Sequence, residues 1–147
     1  MIIMGVDPGA SGGIAVIASG WEYASALKSL TLRETWLEIA DFKTENTKMA
    51  YLEAVHSMPR DGVRSAFSFG KSYGNLEAFL VAAGIPFERV TPSVWQKEFG
   101  LIKRKGETHT QKKNRHKSLA QEMFPSVKVT HAVADALLIA EYGRRQK

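Results

Sequence analysis

Three of the most apolar stretches in this 147-residue chain are each interrupted by a single carboxylate. Asp7 closes Ile2-Ile-Met-Gly-Val6, Glu53 lies between Ala50-Tyr-Leu52 and Ala54-Val55, and Asp135 sits inside Ala132-Val-Ala-Asp-Ala-Leu-Leu-Ile-Ala140. Acidic side chains normally stay on wetted faces and are almost never fully buried without a partner. Burying one alone costs several kcal/mol, on the order of a whole domain's stability. Three such residues on separate elements share one economical solution, which is to converge on a common cation. A hard divalent ion with oxygen ligands suits that role. His131 lies four residues before Asp135, so on a helix the two project from one face and His131 offers a fourth ligand. Each residue also has a plainer reading. Asp7 before Pro8-Gly9 is a common turn former, Glu53 fits an edge strand, and His131 fits a helix start. On residues alone, the conclusion is an acidic metal site in an α/β domain.

Periodicity supplies the elements that carry these groups. Met1–Val6 and Ile14–Ala18 are apolar runs joined by Asp7-Pro-Gly9 and Gly12-Gly13, a hairpin pattern. Trp21, Tyr23, Ser25 and Leu27 alternate as a third strand. Thr31-Leu-Arg-Glu34 is a capping-box sequence, and Leu32, Trp36, Ile39 and Ala40 continue it at helical spacing. Met49–Val55 reads as a central strand. Phe67–Ala83 reads as a helix stopped by Gly84-Ile-Pro86, with Phe69, Tyr73, Leu76, Leu80 and Ala83 forming a narrow stripe. Phe87–Val90 is a further strand, and Thr91-Pro92 opens a short helix through Trp95. Leu101–His109 is polar, basic and aperiodic, which predicts a mobile segment. Thr110 is the expected cap of a helix reaching Phe124, and the last helix spans His131 to Arg144. A three-stranded meander followed by alternating helices and strands implies an α/β fold, a mixed sheet with helices on its faces. No repeat or linker divides residues 1–147, so one domain is expected.

Charge and composition narrow the partners. The net charge is +5, and residues 97–117 alone hold eight Lys/Arg against two acids. The excess is therefore one block, as expected for a polyanion partner or a solvated loop. There is no cysteine, which excludes thiolate metal sites and fits a reducing cytoplasm. No apolar run approaches a membrane span, so no membrane partner is expected.

Several of these segments together resemble the RuvC-type Holliday junction resolvases of the ribonuclease-H-like superfamily. Gly5-Val-Asp-Pro-Gly9 with Gly12-Gly13 resembles their opening hairpin, and Tyr51-Leu-Glu53 their second acidic strand. Ser68-Phe-Gly70 with Asn75-Leu-Glu77, then Val90-Thr-Pro92 with Trp95, then Ala134–Ala140 follow in the same order. The likeness is nearest to short phage and prophage members. It implies a ribonuclease-H-like mixed five-stranded sheet with helices on both faces, and a homodimer that cuts opposite strands of a four-way DNA junction, leaving 5′-phosphate ends. It also implies a cytoplasmic setting in a bacterium or phage-infected cell.

Carried over by position, Asp7, Glu53, His131 and Asp135 become catalytic metal ligands for two Mg²⁺ or Mn²⁺ ions per site, with no nucleotide cofactor. Many relatives carry two acids three residues apart on the last helix, where this chain has His131 and Asp135 four apart. Imidazole is softer than carboxylate, which favours Mn²⁺. Phe69, Lys71, Lys103, Arg104, Lys105, Lys112, Lys113, Arg115 and Lys117 are the expected DNA contacts. Phe67 flanks the same side, or packs in the core. The Phe69–Ala83 stripe is a candidate dimer face, or core. Alternatives left open are a nuclease for flaps, forks or RNA–DNA hybrids, and a branched-DNA binder without turnover.

Overall fold

In the computed structural model, which describes residues 1–56 and 58–146, apolar side chains alternate across one five-stranded sheet. Its strands are β1 (Ile2–Asp7), β2 (Gly13–Ala18), β3 (Trp21–Ala26), β4 (Thr47–Glu53) and β5 (Phe87–Val90), in the spatial order β3-β2-β1-β4-β5. β1, β2 and β3 form an antiparallel meander, whereas β4 runs parallel to β1 and β5 parallel to β4. Among the described residues five α-helices accompany them: α1 (Leu32–Asp41), α2 (Val63–Ala82), α3 (Pro92–Glu98), α4 (His109–Met123) and α5 (His131–Arg145). The mixed α/β architecture is the one the sequence predicts.

Successive strand residues point to opposite faces. Ile3, Ala15, Ile17 and Tyr51 therefore join one core with Trp95, Ala120 and Leu137 from α3, α4 and α5. Met4, Val6, Ile14, Val16, Ala50 and Leu52 join a second core with Ile39 of α1 and Leu76 and Leu80 of α2. Covering on both faces is why β1, β2 and the Met49–Leu52 stretch of β4 read as apolar runs. The same parity decides where the acids go. Asp7 follows Ile3 and Gly5 at even steps, and Glu53 follows Tyr51, so both lie on the α5 face.

α5 lies unusually close to the sheet. A Cβ built at Gly5 would stand 2.1 Å from the Ala136 carbonyl oxygen and 2.5 Å from the Ala140 nitrogen. One at Gly13 would stand 2.6 Å from the Ala132 carbonyl oxygen. Alanines at 132, 136 and 140 turn a smooth helix face toward the two glycines, and this contact sets the depth of Asp135.

Several expectations are corrected by the packing. The α2 stripe is core from Tyr73 onward, since Leu76 and Leu80 are buried and Tyr73 and Ala83 pack against them, whereas Phe69 at its start is half-buried and lies outside that core. Phe67 is instead 76% exposed, which removes its core reading. α4 is capped by Thr108, not Thr110: the Thr108 hydroxyl accepts from the Gln111 amide, and the Gln111 side chain accepts from the Thr108 amide. The segment predicted to be mobile is tied down by Arg115, whose guanidinium donates to the Gly100 and Ile102 carbonyls and pairs with Glu107. That hydrogen-bonded pairing lowers Glu107 to about 2. Apolar periodicity carries no trace of such bonds. Among the described residues, no helix is long and apolar enough to cross a membrane.

Two glycine substitutions separate close packing from simple chain entropy. Gly5→Ala should destabilise by about 1–3 kcal/mol or more, through overpacking under α5. Gly74→Ala, on α2 where nothing lies within 4 Å of the new methyl, should stabilise by about 0.5–1 kcal/mol. Denaturant melts of both variants measure the difference; equal effects would contradict the close approach of α5.

Candidate active site

The parallel register of β1 and β4 pairs Val6 with Leu52, so the next residues, Asp7 and Glu53, leave adjacent strand ends on one face. Asp135 descends onto them from the second turn of α5. All three are buried, at 8%, 8% and 4% exposure. The wide separation in sequence is closed by two devices already described, strand parity and the alanine–glycine contact.

Each carboxylate has a different set of partners. Asp7 and Glu53 are close enough that each carboxyl shifts the titration of the other. Glu53 Oε1 also accepts from the Trp95 indole N–H at 2.9 Å. Asp135 uses both oxygens: Oδ1 accepts from His116 Nδ1 at 2.7 Å and Oδ2 from the Lys113 ammonium at 2.6 Å. His116 and Lys113 both come from α4.

The electrostatics follow from three negative groups facing one ammonium. Burial, with Glu53 and Asp135 beside it, pushes Asp7 well above the ordinary carboxylate range. Burial also raises Glu53, opposed by the Trp95 bond and reinforced by Asp135. For Asp135 burial is outweighed by the His116 bond and the Lys113 charge, so it stays below its usual value. Burial likewise works against the Lys113 ammonium, and the Asp135 charge and bond overcome it. Two carboxyls thus lack a compensating cation. Each of the two therefore holds its proton more tightly than the ordinary aqueous group does.

These residues fit a hard divalent ion in donor type and in charge. Oxygen donors predominate, and the local excess of carboxylate over ammonium is the quantity such an ion would neutralise. A ready-made cage is not present: among the described residues no three His, Asp or Glu side chains stand arranged to hold a metal. Both Asp135 oxygens are engaged by α4.

The other predicted residues fall into three groups. His131 is exposed at the start of α5, and its Nε2 donates to Asn114 Oδ1 at 2.8 Å; it is not among the partners of Asp7, Glu53 or Asp135. Lys103, Arg104, Lys105 and Lys71 are exposed, Lys117 is half-buried, and Phe69 leans on the Gly9 turn. Lys112, Lys113 and Arg115 have internal partners in Gln96, Asp135 and Glu107. Sequence reasoning placed Lys113 on a DNA surface and gave Trp95 and His116 no role at the site. One signal was present: Lys113, His116 and Ala120 recur at three and four residues, the spacing of one inward helix face.

No family model and no curated protein sequence matches the chain. Two solved structures align with it almost end to end. T. thermophilus RuvC in complex with Holliday junction substrate superposes with a TM-score of 0.63 at 16% identity, covering 99% of this chain and 97% of that one. The chain has the RuvC fold. A second Thermus thermophilus RuvC structure gives a TM-score of 0.60 at 17% identity, covering 98% and 96%. At such identity the likeness to RuvC is one of architecture.

The raised carboxyls give a signed prediction for the metal-free protein. Asp7 and Glu53 have folded values above their unfolded ones, so their contribution is complete in acid. It is lost as pH rises from the ordinary carboxylate range through the raised folded values. Asp135 has the opposite sign and loses its contribution as pH falls. Asp7→Asn should therefore raise the Tm of the chelator-treated protein at neutral pH, by about 2–4 °C per kcal/mol relieved, and flatten the alkaline side of the profile. A lowered Tm at neutral pH would contradict the assignment.

Proposed function

We propose that this chain is a metal-dependent endonuclease that hydrolyses phosphodiester bonds in branched DNA, with the four-way junction as its substrate. The observation that carries this reading is the burial of Asp7, Glu53 and Asp135 from three separate elements around a single ammonium. Such an excess of carboxylate destabilises a fold unless a ligand uses it. The RuvC fold supports the choice of nucleic acid, since a protein of that architecture is described in complex with a Holliday junction.

In this reading Asp7, Glu53 and Asp135 hold Mg²⁺ or Mn²⁺, two ions per site. Bound there, the ions would activate water and neutralise charge on the leaving oxygen. The oxygen of water adds to phosphorus, the bond to the 3′-oxygen breaks, and the products carry a 5′-phosphate and a 3′-hydroxyl. For Asp135 to ligate through Oδ2, Lys113 must release it, and the freed ammonium can then meet a phosphate oxygen. His131 joins the ligand set only by leaving Asn114.

The DNA track is assigned to groups without internal partners to break. Lys103, Arg104 and Lys105 form an exposed basic tip that Arg115 braces from behind. Lys71, Phe69 and the exposed Phe67 lie along α2, where an aromatic ring can stack on an unpaired base at a branch point. Contacts of the first kind position DNA and read no sequence. A homodimer would present two such sites to opposite strands. The cytoplasm of a bacterial or phage-infected cell is the compartment this reading requires.

A single-turnover assay on a labelled four-way junction with Mn²⁺ tests the proposal. Wild-type protein should cut near the branch point. Asp7→Asn should lower the rate by more than about 10³-fold, as for other essential active-site groups, while junction affinity, which comes from phosphate contacts, is retained. Cleavage by that variant at the wild-type rate would sink the assignment. Binding without any cutting by wild type would leave a branched-DNA binder, and faster cutting of flaps or RNA–DNA hybrids would move the substrate class.

A further inference from the structure

Behind the carboxylates lies a layer of two rings that touch neither solvent nor, in the reading above, the DNA. Trp95 of α3 and His116 of α4 are 0% and 1% exposed. The Trp95 indole N–H donates to Glu53 Oε1 at 2.9 Å, and His116 Nδ1 donates to Asp135 Oδ1 at 2.7 Å. The rings meet edge to face, with centroids 5.5 Å apart and planes at 74°, a favoured aromatic geometry. Each ring offers its carboxylate one donor in one direction, and each is wedged so that turning would break its contact with the other.

His116 makes the case for a role beyond packing. Its Nε2 has no hydrogen-bond partner among the described residues. A buried ring nitrogen without a partner carries a cost, which an aliphatic side chain filling the same space would avoid. What the imidazole adds at this position is its Nδ1 bond. Trp95 is similar, because phenylalanine would supply a buried aromatic ring but no donor for Glu53.

We propose that Trp95 and His116 are a coupled pair of positioning residues, fixing Glu53 Oε1 and Asp135 Oδ1 from behind so that Glu53 Oε2, and Asp135 Oδ2 once Lys113 releases it, are presented to the centre of the site. The inference rests on the metal-site reading above and deepens it. Groups that orient ligands in this way commonly alter metal affinity by about 10–100-fold when removed.

Mn²⁺ binding to the full-length protein, followed by the electron paramagnetic resonance signal of free Mn²⁺, tests it without reference to cleavage. The variants are Trp95→Phe, His116→Leu, His116→Gln and His116→Asn, each checked for a cooperative thermal melt. An asparagine amide places its N–H where Nδ1 stands, whereas a glutamine amide places it near Nε2. Trp95→Phe, His116→Leu and His116→Gln should each weaken Mn²⁺ by about 10–100-fold, and His116→Asn should restore most of the loss. If His116→Leu fails to fold, the Asn and Gln variants alone decide. Equal affinities in those two, or wild-type affinity in Trp95→Phe and His116→Gln, would overturn the inference. Asp7→Asn is the control. Loss of Mn²⁺ in that variant with none in the ring variants refutes only the positioning role, whereas undiminished binding in Asp7→Asn refutes the metal site and the positioning role together.

Discussion

Three carboxylates share a single patch of low dielectric with one ammonium, and the backbone that puts them there leaves little slack. Parallel pairing of β1 and β4 places Asp7 and Glu53 at adjacent strand ends. Glycines at 5 and 13 admit the α5 backbone almost onto the strands, and Asp135 comes with it. None of these groups can retreat to water without unpacking the sheet. The chain meets the resulting repulsion in two ways: Asp7 and Glu53 hold their protons more tightly than usual, and Lys113 forms an ion pair with Asp135. Both are partial, and both are reversible by a ligand that brings more positive charge.

α4 is where the site and its surroundings meet. Lys113 and His116 face inward to Asp135, while Arg115, between them in sequence, faces the loop carrying Lys103, Arg104 and Lys105 and holds it by two backbone carbonyls. One helix thus sets the partners of a buried carboxylate and braces the most basic exposed tip of the molecule. In the proposed reaction that connection has a consequence. Phosphate drawing Lys113 outward would also free an oxygen of Asp135, so substrate and metal would each ease the binding of the other.

The features legible in the sequence were those written in apolar periodicity. The hairpin around Asp7, the interrupted runs at Glu53 and Asp135, the Thr31 capping box and the mixed sheet all follow from alternation and turn chemistry, and the structure bears them out. The features that escaped are contacts between distant polar groups. Trp95 and Glu53 are 42 residues apart and His116 and Asp135 are 19 apart, and no local pattern pairs them. The basic block concealed a division of labour for the same reason, since inward and outward lysines carry the same letter. On α2 the spacing identified a real stripe, but spacing cannot say whether a stripe meets its own sheet or a second copy. His131 shows the limit most plainly. Four residues before Asp135, it shares a helix face in projection, and both turn to α4, but His131 at the exposed start of α5 meets Asn114 while Asp135, a turn deeper, meets Lys113 and His116.

The central claim is that the buried acids form one site for a divalent ion. Anomalous diffraction from crystals soaked in Mn²⁺ tests it directly. A peak bounded by Asp7, Glu53 and Asp135 is expected, with Lys113 displaced from Oδ2. A peak only at surface carboxylates, with Lys113 still paired to Asp135 at saturating Mn²⁺, would contradict it.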